Sequence, residues 1–418
     1  MSSEAVADRS AEDLGADPAR RQPERLDGAG GPVRADRAHD RGRSERRDLA
    51  LHRLDATSGR MVLQAWLASR GLIALVALVL AVRDGRTLTG MISNWDVQHF
   101  VRLAAGGYGA EPGGILMAFF PGLPVILSMF GQLGVPVAIS GVALSLVCSG
   151  IAAVALMRLG GPWAAIGWLF APTAVFTAVP YTESLLCAAA FWAWERARSD
   201  RWLAAATLAA IACTVRVSGL FLVGALFVLI VTTRRIGWRT RLQRLALLAI
   251  PMAVILGFAA YLHWLSGSWT AWYAAQTTGW VRRLTWPWDS FLNTIPAIMP
   301  GAYADHPWWA AVFRGEMVSM AIGLVVTAWC LARRLWAEAS WVGVQVLAFS
   351  LSYWFFSVNR ATLLWFPLWI MLARWGTWRP RRPAVRITHR VLVVLAFAVS
   401  IVLLLWWCWL FFTGHWAS

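Results

Sequence analysis

The sequence predicts an all-α polytopic membrane protein. Of its 418 residues 58% are hydrophobic and only 14% charged, with a mean hydropathy of +0.56, which cannot be wrapped as a water-soluble globule of this length. The apolar residues gather in a series of runs, and a formal charge of +16 is carried largely between them. Such an excess could mark a nucleic-acid footprint, but basic residues between apolar spans are explained by membrane topology, so no nucleic-acid partner is expected. The 28 Trp residues suit membrane interfaces, where the ring is buried and the N–H stays wet.

Residues 1–60 hold 12 Arg and 12 Asp or Glu with no aromatic residue, too little apolar content for a core. They read as a disordered cytoplasmic tail without the apolar region of a signal peptide, followed by a membrane domain over 61–418. At about 20 residues per span, with shorter ones allowed beside a cavity, apolar runs fall near 61–82, 136–157, 163–180, 182–194, 202–216, 219–233, 245–265, 311–332, 340–357, 361–373 and 391–412. A bundle of about 11 transmembrane helices is expected. One further piece, Phe119–Leu133, is short and broken by Pro and Gly, and reads as a re-entrant or interfacial helix.

That assignment follows from charge. If Phe119–Leu133 does not cross, Arg158 and the loops 195–201, 234–244, 333–338 and 374–390 share one side and carry 17 Arg against three acids, Glu195, Asp200 and Glu338. The opposite side has 8 Arg and seven acids. The positive-inside rule then sets the N-terminus in the cytoplasm and the C-terminus outside, in a multi-pass protein of the plasma membrane. Asp96, His99, the segment 181–184, Arg216, the loop 266–310 and Asn359–Arg360 all fall on the outer side. Several flanking runs are too short to cross about 30 Å of hydrocarbon as straight helices, which implies a protein-lined cavity opening outward.

The candidate chemistry lies there. Asp96, followed one turn on by His99 and Phe100, reads either as a cap on a short interfacial helix or as a general base. Glu183 falls in the first turn of a helix, where the dipole favours a carboxylate. Arg216 interrupts apolar sequence and needs a partner such as Asp96, Glu183 or a lipid phosphate. Gln276, Trp280, Arg282 and Arg283 occupy one loop as interfacial anchors or as a phosphate and sugar site, to which Asn359 and Arg360 would add. The five Cys are scattered through apolar runs without paired spacing and read as core residues.

The ordered motifs NWDVQHFVRLAAGGY (94–108), FFPGLP (119–124), PTAVFTAVPYTES (172–184), TVRVSGL (214–220) and AQTTGWVRR (275–283) resemble the GPI mannosyltransferase 2 (PIG-V-like) family of GT-C glycosyltransferases. The resemblance runs through residues 61–370. It implies a GT-C-like bundle and an inverting transfer of a hexose, usually mannose, from a polyprenyl phosphate carrier to a lipid or glycan acceptor on the extracytoplasmic face. It assigns Asp96 as the catalytic carboxylate, with substrate contacts among Trp95, His99, Arg102, Glu183, Arg216, Gln276, Trp280, Arg282, Arg283, Asn359 and Arg360. A phosphate leaving group calls for no metal, and no cofactor is implied. The Arg-only basic composition fits a GC-rich, actinobacterial source. A transporter or lipid flippase is the rival reading; it would set its site near the midplane between repeated halves, and no internal repeat is visible.

Overall fold

The computed structural model describes residues 51–417 apart from 53, 54, 111, 112 and 235, so residues 1–50 of the expected tail lie outside the described residues. Every regular element described is helical. The chain opens with α1 (Ala56–Asp84), α2 (Leu88–Ile92) and α3 (Asp96–Gly106), followed by α4 (Gly122–Gln132), α5 (Val137–Gly160) and α6 (Pro162–Leu169). Next come α7 (Thr182–Arg198), α8 (Trp202–Val215), α9 (Ser218–Thr232), α10 (Trp238–Leu247), α11 (Ala249–Ser266) and α12 (Ala271–Trp280). The last third holds α13 (Pro287–Ile298), α14 (Pro307–Ala332), α15 (Trp336–Ser350), α16 (Val358–Ala361), α17 (Phe366–Thr377) and α18 (Pro383–Thr413).

Every one of the eleven apolar runs contains helix, but among the described residues only five helical stretches are long and apolar enough to cross a membrane by themselves. They are Ala56–Asp84, Val137–Gly160, Trp238–Ser266, Pro307–Ala332 and Pro383–Thr413, so an eleven-span bundle is not established. Helix α1 begins inside the stretch assigned to the tail, because the Asp55 carboxylate accepts the Ser58 N–H at 2.8 Å and starts the helix before Met61. The run 163–180 is broken: α6 stops at Leu169, and Pro172 and Pro180 disfavour helix in the residues before them. This irregular stretch is enclosed by protein, the condition under which such backbone is tolerated at membrane depth. Helix α4, at 11 residues, spans about 16 Å and is too short to cross.

Helix α7 lies at the centre, buried along nearly its whole length between α5 and α8. At 17 residues it is about 25 Å long, and charged groups mark its two ends. At its C-terminal end Arg158 pairs with Glu195 at 2.5 Å, Arg198 with Glu338 at 2.6 Å and Arg244 with Asp200 at 2.6 Å. Its N-terminal end carries Glu183, with Arg216, Arg360 and Asp96 gathered beside it. Arg158, Arg198, Arg244, Asp200 and Glu338 thus meet at one end of α7, and Asp96, Arg216 and Arg360 at the other.

Candidate active site

Glu183, in the first turn of α7, is fully buried, and its Oε1 accepts from Arg216 Nη1 at 2.6 Å. Arg216 stands on extended backbone between α8 and α9, a break that frees its guanidinium from either helix. The break is tight. A Cβ at Gly219 would lie 2.5 Å from the Cys213 backbone nitrogen, so only glycine lets α9 start against the end of α8.

Asp96 is the first residue of α3, and the capping position before it belongs to Trp95, whose side chain makes no cap hydrogen bond. The Asp96 backbone N–H donates to the Tyr181 hydroxyl at 3.2 Å, and its Oδ2 accepts from Arg360 Nη1 at 3.0 Å. Arg360 Nε lies 3.7 Å from Glu183 Oε1, and its guanidinium packs over the rings of Tyr181 and Phe176 at 5.2 and 5.3 Å. The result is a chain of alternating charge, Asp96–Arg360–Glu183–Arg216. Its inner carboxylate is sealed, while the Asp96 side chain keeps 20% exposure.

Two clefts meet at this chain. The first is lined by Asp96, Arg216, Gln276, Trp280, Arg282 and Arg360, with walls from Phe119, Phe120 and Trp272. The second shares Asp96, Trp280 and Arg360 but is otherwise mostly aromatic, with Trp95, Tyr181, Trp309, Trp354, Phe356 and Trp416 among its lining. Arg282 Nη2 donates to the Phe356 carbonyl at 3.4 Å, while the buried Nε atoms of Arg282 and Arg360 have no hydrogen-bond partner. Burial, then the charges of Arg216 and Arg360, lower the Arg282 guanidinium to about 10, still protonated at neutral pH. Arg216, Arg282 and Arg360 thus gather about Asp96 and Glu183, and Arg282 and Arg360 keep unsatisfied N–H donors. Such an arrangement accepts an anion with several oxygens, a phosphate above all.

The structure brings together Asp96, Glu183, Arg216, Gln276, Trp280, Arg282 and Arg360. Trp95 reaches the second cleft, and its indole N–H donates to the His415 carbonyl at 3.1 Å. Gln276 donates to the Ala118 carbonyl at 3.2 Å, tying α12 to the wall segment 115–118. His99 stacks behind the walls, its ring centroid 5.1 Å from that of Phe119 and 6.2 Å from that of Trp280. Arg102 is exposed on α3, and Arg283 lies over the Tyr353 ring at 4.6 Å; neither is among the residues lining the two clefts. Asn359 turns away from the clefts, donating to the Val312 carbonyl at 3.1 Å and accepting from the Ser319 hydroxyl at 2.9 Å. It serves as a bracket on α14, because the turn that presents Arg360 inward presents its neighbour outward. Tyr181, quoted within a motif but not singled out, joins the Asp96 backbone to the Arg360 stack.

The chain is thus a helical bundle, with helices apolar and long enough to cross a membrane, that sets a carboxylate at the junction of a cationic and an aromatic cleft. Comparison with known proteins adds relatives. The chain is 34% identical over 158 residues to GPI alpha-1,6-mannosyltransferase 2 of Mus musculus, covering 33% of this chain and 31% of the mouse protein. The same-named proteins of Rattus norvegicus (34% identity; 33% and 32% coverage) and Homo sapiens (33% identity; 33% and 31% coverage) match over 158 residues as well. The aligned part thus spans about a third of the length of these curated relatives. No protein-family model matches the chain. The resemblance read from the five motifs therefore has named counterparts, whereas mammalian relatives lend nothing to an actinobacterial origin.

Proposed function

We propose that this protein is a membrane glycosyltransferase that moves a hexose, mannose first among them, from a polyprenyl phosphate carrier to a hydroxyl of a lipid or glycan acceptor, with inversion. The observation that carries this reading is Asp96 at the meeting of the two clefts. A general base has to touch the acceptor hydroxyl while that oxygen stands in line with the anomeric carbon, and a junction of two substrate chambers meets that demand.

The cationic cleft suits the donor. A sugar phosphodiester carries one negative charge, and Arg282 and Arg360 have N–H groups to offer it. During transfer the acceptor oxygen bonds to the anomeric carbon, the bond from that carbon to the phosphate oxygen breaks with its electron pair, and the acceptor proton passes to Asp96. The departing phosphate gains a second charge, so the arginines bind it more tightly than they bind the donor, which is how they lower the barrier. The relatives are named for an alpha linkage; inversion to such a product requires a β-linked sugar phosphate as donor. The aromatic cleft suits the acceptor, whose ring stacks on Trp or Phe faces while a hydroxyl reaches Asp96.

The direct test is transfer by the purified protein in liposomes supplied with polyprenyl phosphate carrying radiolabelled mannose and a total membrane lipid extract. Label is expected to move from the carrier into a new glycolipid or glycan. Intact carrier after prolonged incubation, with mannose and with glucose, would sink the reading.

The same reading assigns the active-site end to the extracytoplasmic face of the plasma membrane, supported by the split of 17 Arg against 8 between the two ends. Trp238 and Leu284 are well exposed at opposite ends of the bundle, and the five native Cys are all buried. In a Cys-free background, Leu284→Cys should react with an impermeant thiol reagent in intact cells and Trp238→Cys should not. The reverse pattern would invert the topology.

A further inference from the structure

Helix α14 is apolar apart from Arg314, which is exposed, and one carboxylate. Glu316 is fully buried in it and lines neither cleft, yet its two oxygens accept three consecutive backbone N–H groups at the N-terminal end of α16. Oε1 accepts from Ser357 at 3.0 Å, and Oε2 from Val358 at 2.6 Å and Asn359 at 2.9 Å. The turn needs such a clamp, since Ser357 sits at φ +66°, a conformation that favours glycine. Asn359 adds its two bonds to Val312 and Ser319, one helical turn to either side of Glu316. Gly315 makes room for the seat, because a Cβ there would lie 2.9 Å from Asn359 Oδ1.

The clamped segment carries both cationic contacts of the site. Arg360 follows Asn359 and reaches Asp96, with a further bond from its Nη2 to the Ser357 hydroxyl at 3.3 Å. The Phe356 carbonyl, one residue before the turn, receives Arg282. We infer that Glu316 is a positioning residue: by gripping the 357–359 backbone it fixes Arg360 between Asp96 and Glu183 and sets the carbonyl that orients Arg282. It touches no substrate. Its effect on turnover rests on the glycosyltransferase reading; its effect on Arg360 does not.

Glu316→Gln is the informative variant, because an amide offers one acceptor oxygen and turns an N–H pair toward backbone N–H groups that need acceptors. In purified protein treated with phenylglyoxal and mapped by mass spectrometry, Arg360 should be protected in the parent and modified in Glu316→Gln. Arg70, buried on α1 and bonded to Thr177 at 2.7 Å, should stay protected in both. In the transfer assay, Glu316→Gln should lower turnover by about 10²-fold, the scale of a displaced catalytic group. It should add little in an Arg360→Lys background, since both act through one contact. Arg360 that stays protected, Arg70 that reacts alongside it, or losses that add in the double variant would each overturn the inference. If Glu316→Gln fails to reach the membrane, Glu316→Asp, one methylene shorter, should expose Arg360 in part, and full protection there would equally overturn it. A parent protein inactive with every polyprenyl phosphate sugar would remove the glycosyltransferase reading, while the modification map still decides the role of Glu316.

Discussion

Asp96→Asn should lower mannose transfer by on the order of 10² to 10⁴ while the protein accumulates in the membrane as the parent does. Asparagine keeps the size of the side chain and an oxygen that accepts from Arg360, but it takes no proton from an attacking hydroxyl. The substitution separates the two readings of Asp96. A capping role would leave Asn nearly as good, at a few tenths of a kcal/mol. Yet Trp95, not Asp96, holds the capping position, and the Asp96 carboxylate pairs with Arg360 from the far end of the chain. The electrostatic cost of the change is buffered, because Glu183 still faces the Arg360 guanidinium. The measurement is the initial rate of label transfer from polyprenyl phosphate mannose by the purified variant. A rate near that of the parent would remove the proposed base without touching the assignment of the fold.

Much of this site was legible because charge in an apolar environment has to be explained. Arg216 between two apolar runs demanded a partner, and Glu183 was among the three proposed. Asp96 and Arg360, 264 residues apart, were grouped only by the side on which their loops fall, and they meet at 3.0 Å. The same cost argument, applied to the single acid inside the 311–332 run, would have singled out Glu316; a lone carboxylate in a span is easily read past. Asn359 lines neither cleft, and no sequence pattern tells this, since which of two adjacent side chains faces a cleft depends on how the turn is clamped. The span count was the least legible feature. Hydropathy sees 163–180 as continuous, although Pro172 within it and Pro180 at its end are breakers that the structure obeys.

Glu183→Gln should be the most damaging single change to the stability of the bundle, at about 3–5 kcal/mol. Glu183 has no exposed surface and sits between Arg216 at 2.6 Å and Arg360 at 3.7 Å. Removing its charge leaves Arg216 without its carboxylate partner and Arg360 with Asp96 alone. The neutral amide also loses the favourable interaction with the N-terminal end of α7. Pairing with Asp96 compensates only Arg360, so Arg216 is left to seek water and the start of α9 loosens with it. The expected result is a large fall in the thermal midpoint of the detergent-purified protein, measured by loss of monodisperse material after heating. Restoring charge balance by Glu183→Gln with Arg216→Gln should recover part of the loss, because the pair then becomes two amides able to bond one another. A single Glu183→Gln variant as heat-resistant as the parent would mean that the buried carboxylate does not hold the cationic cluster, and the alternating chain would lose its structural role.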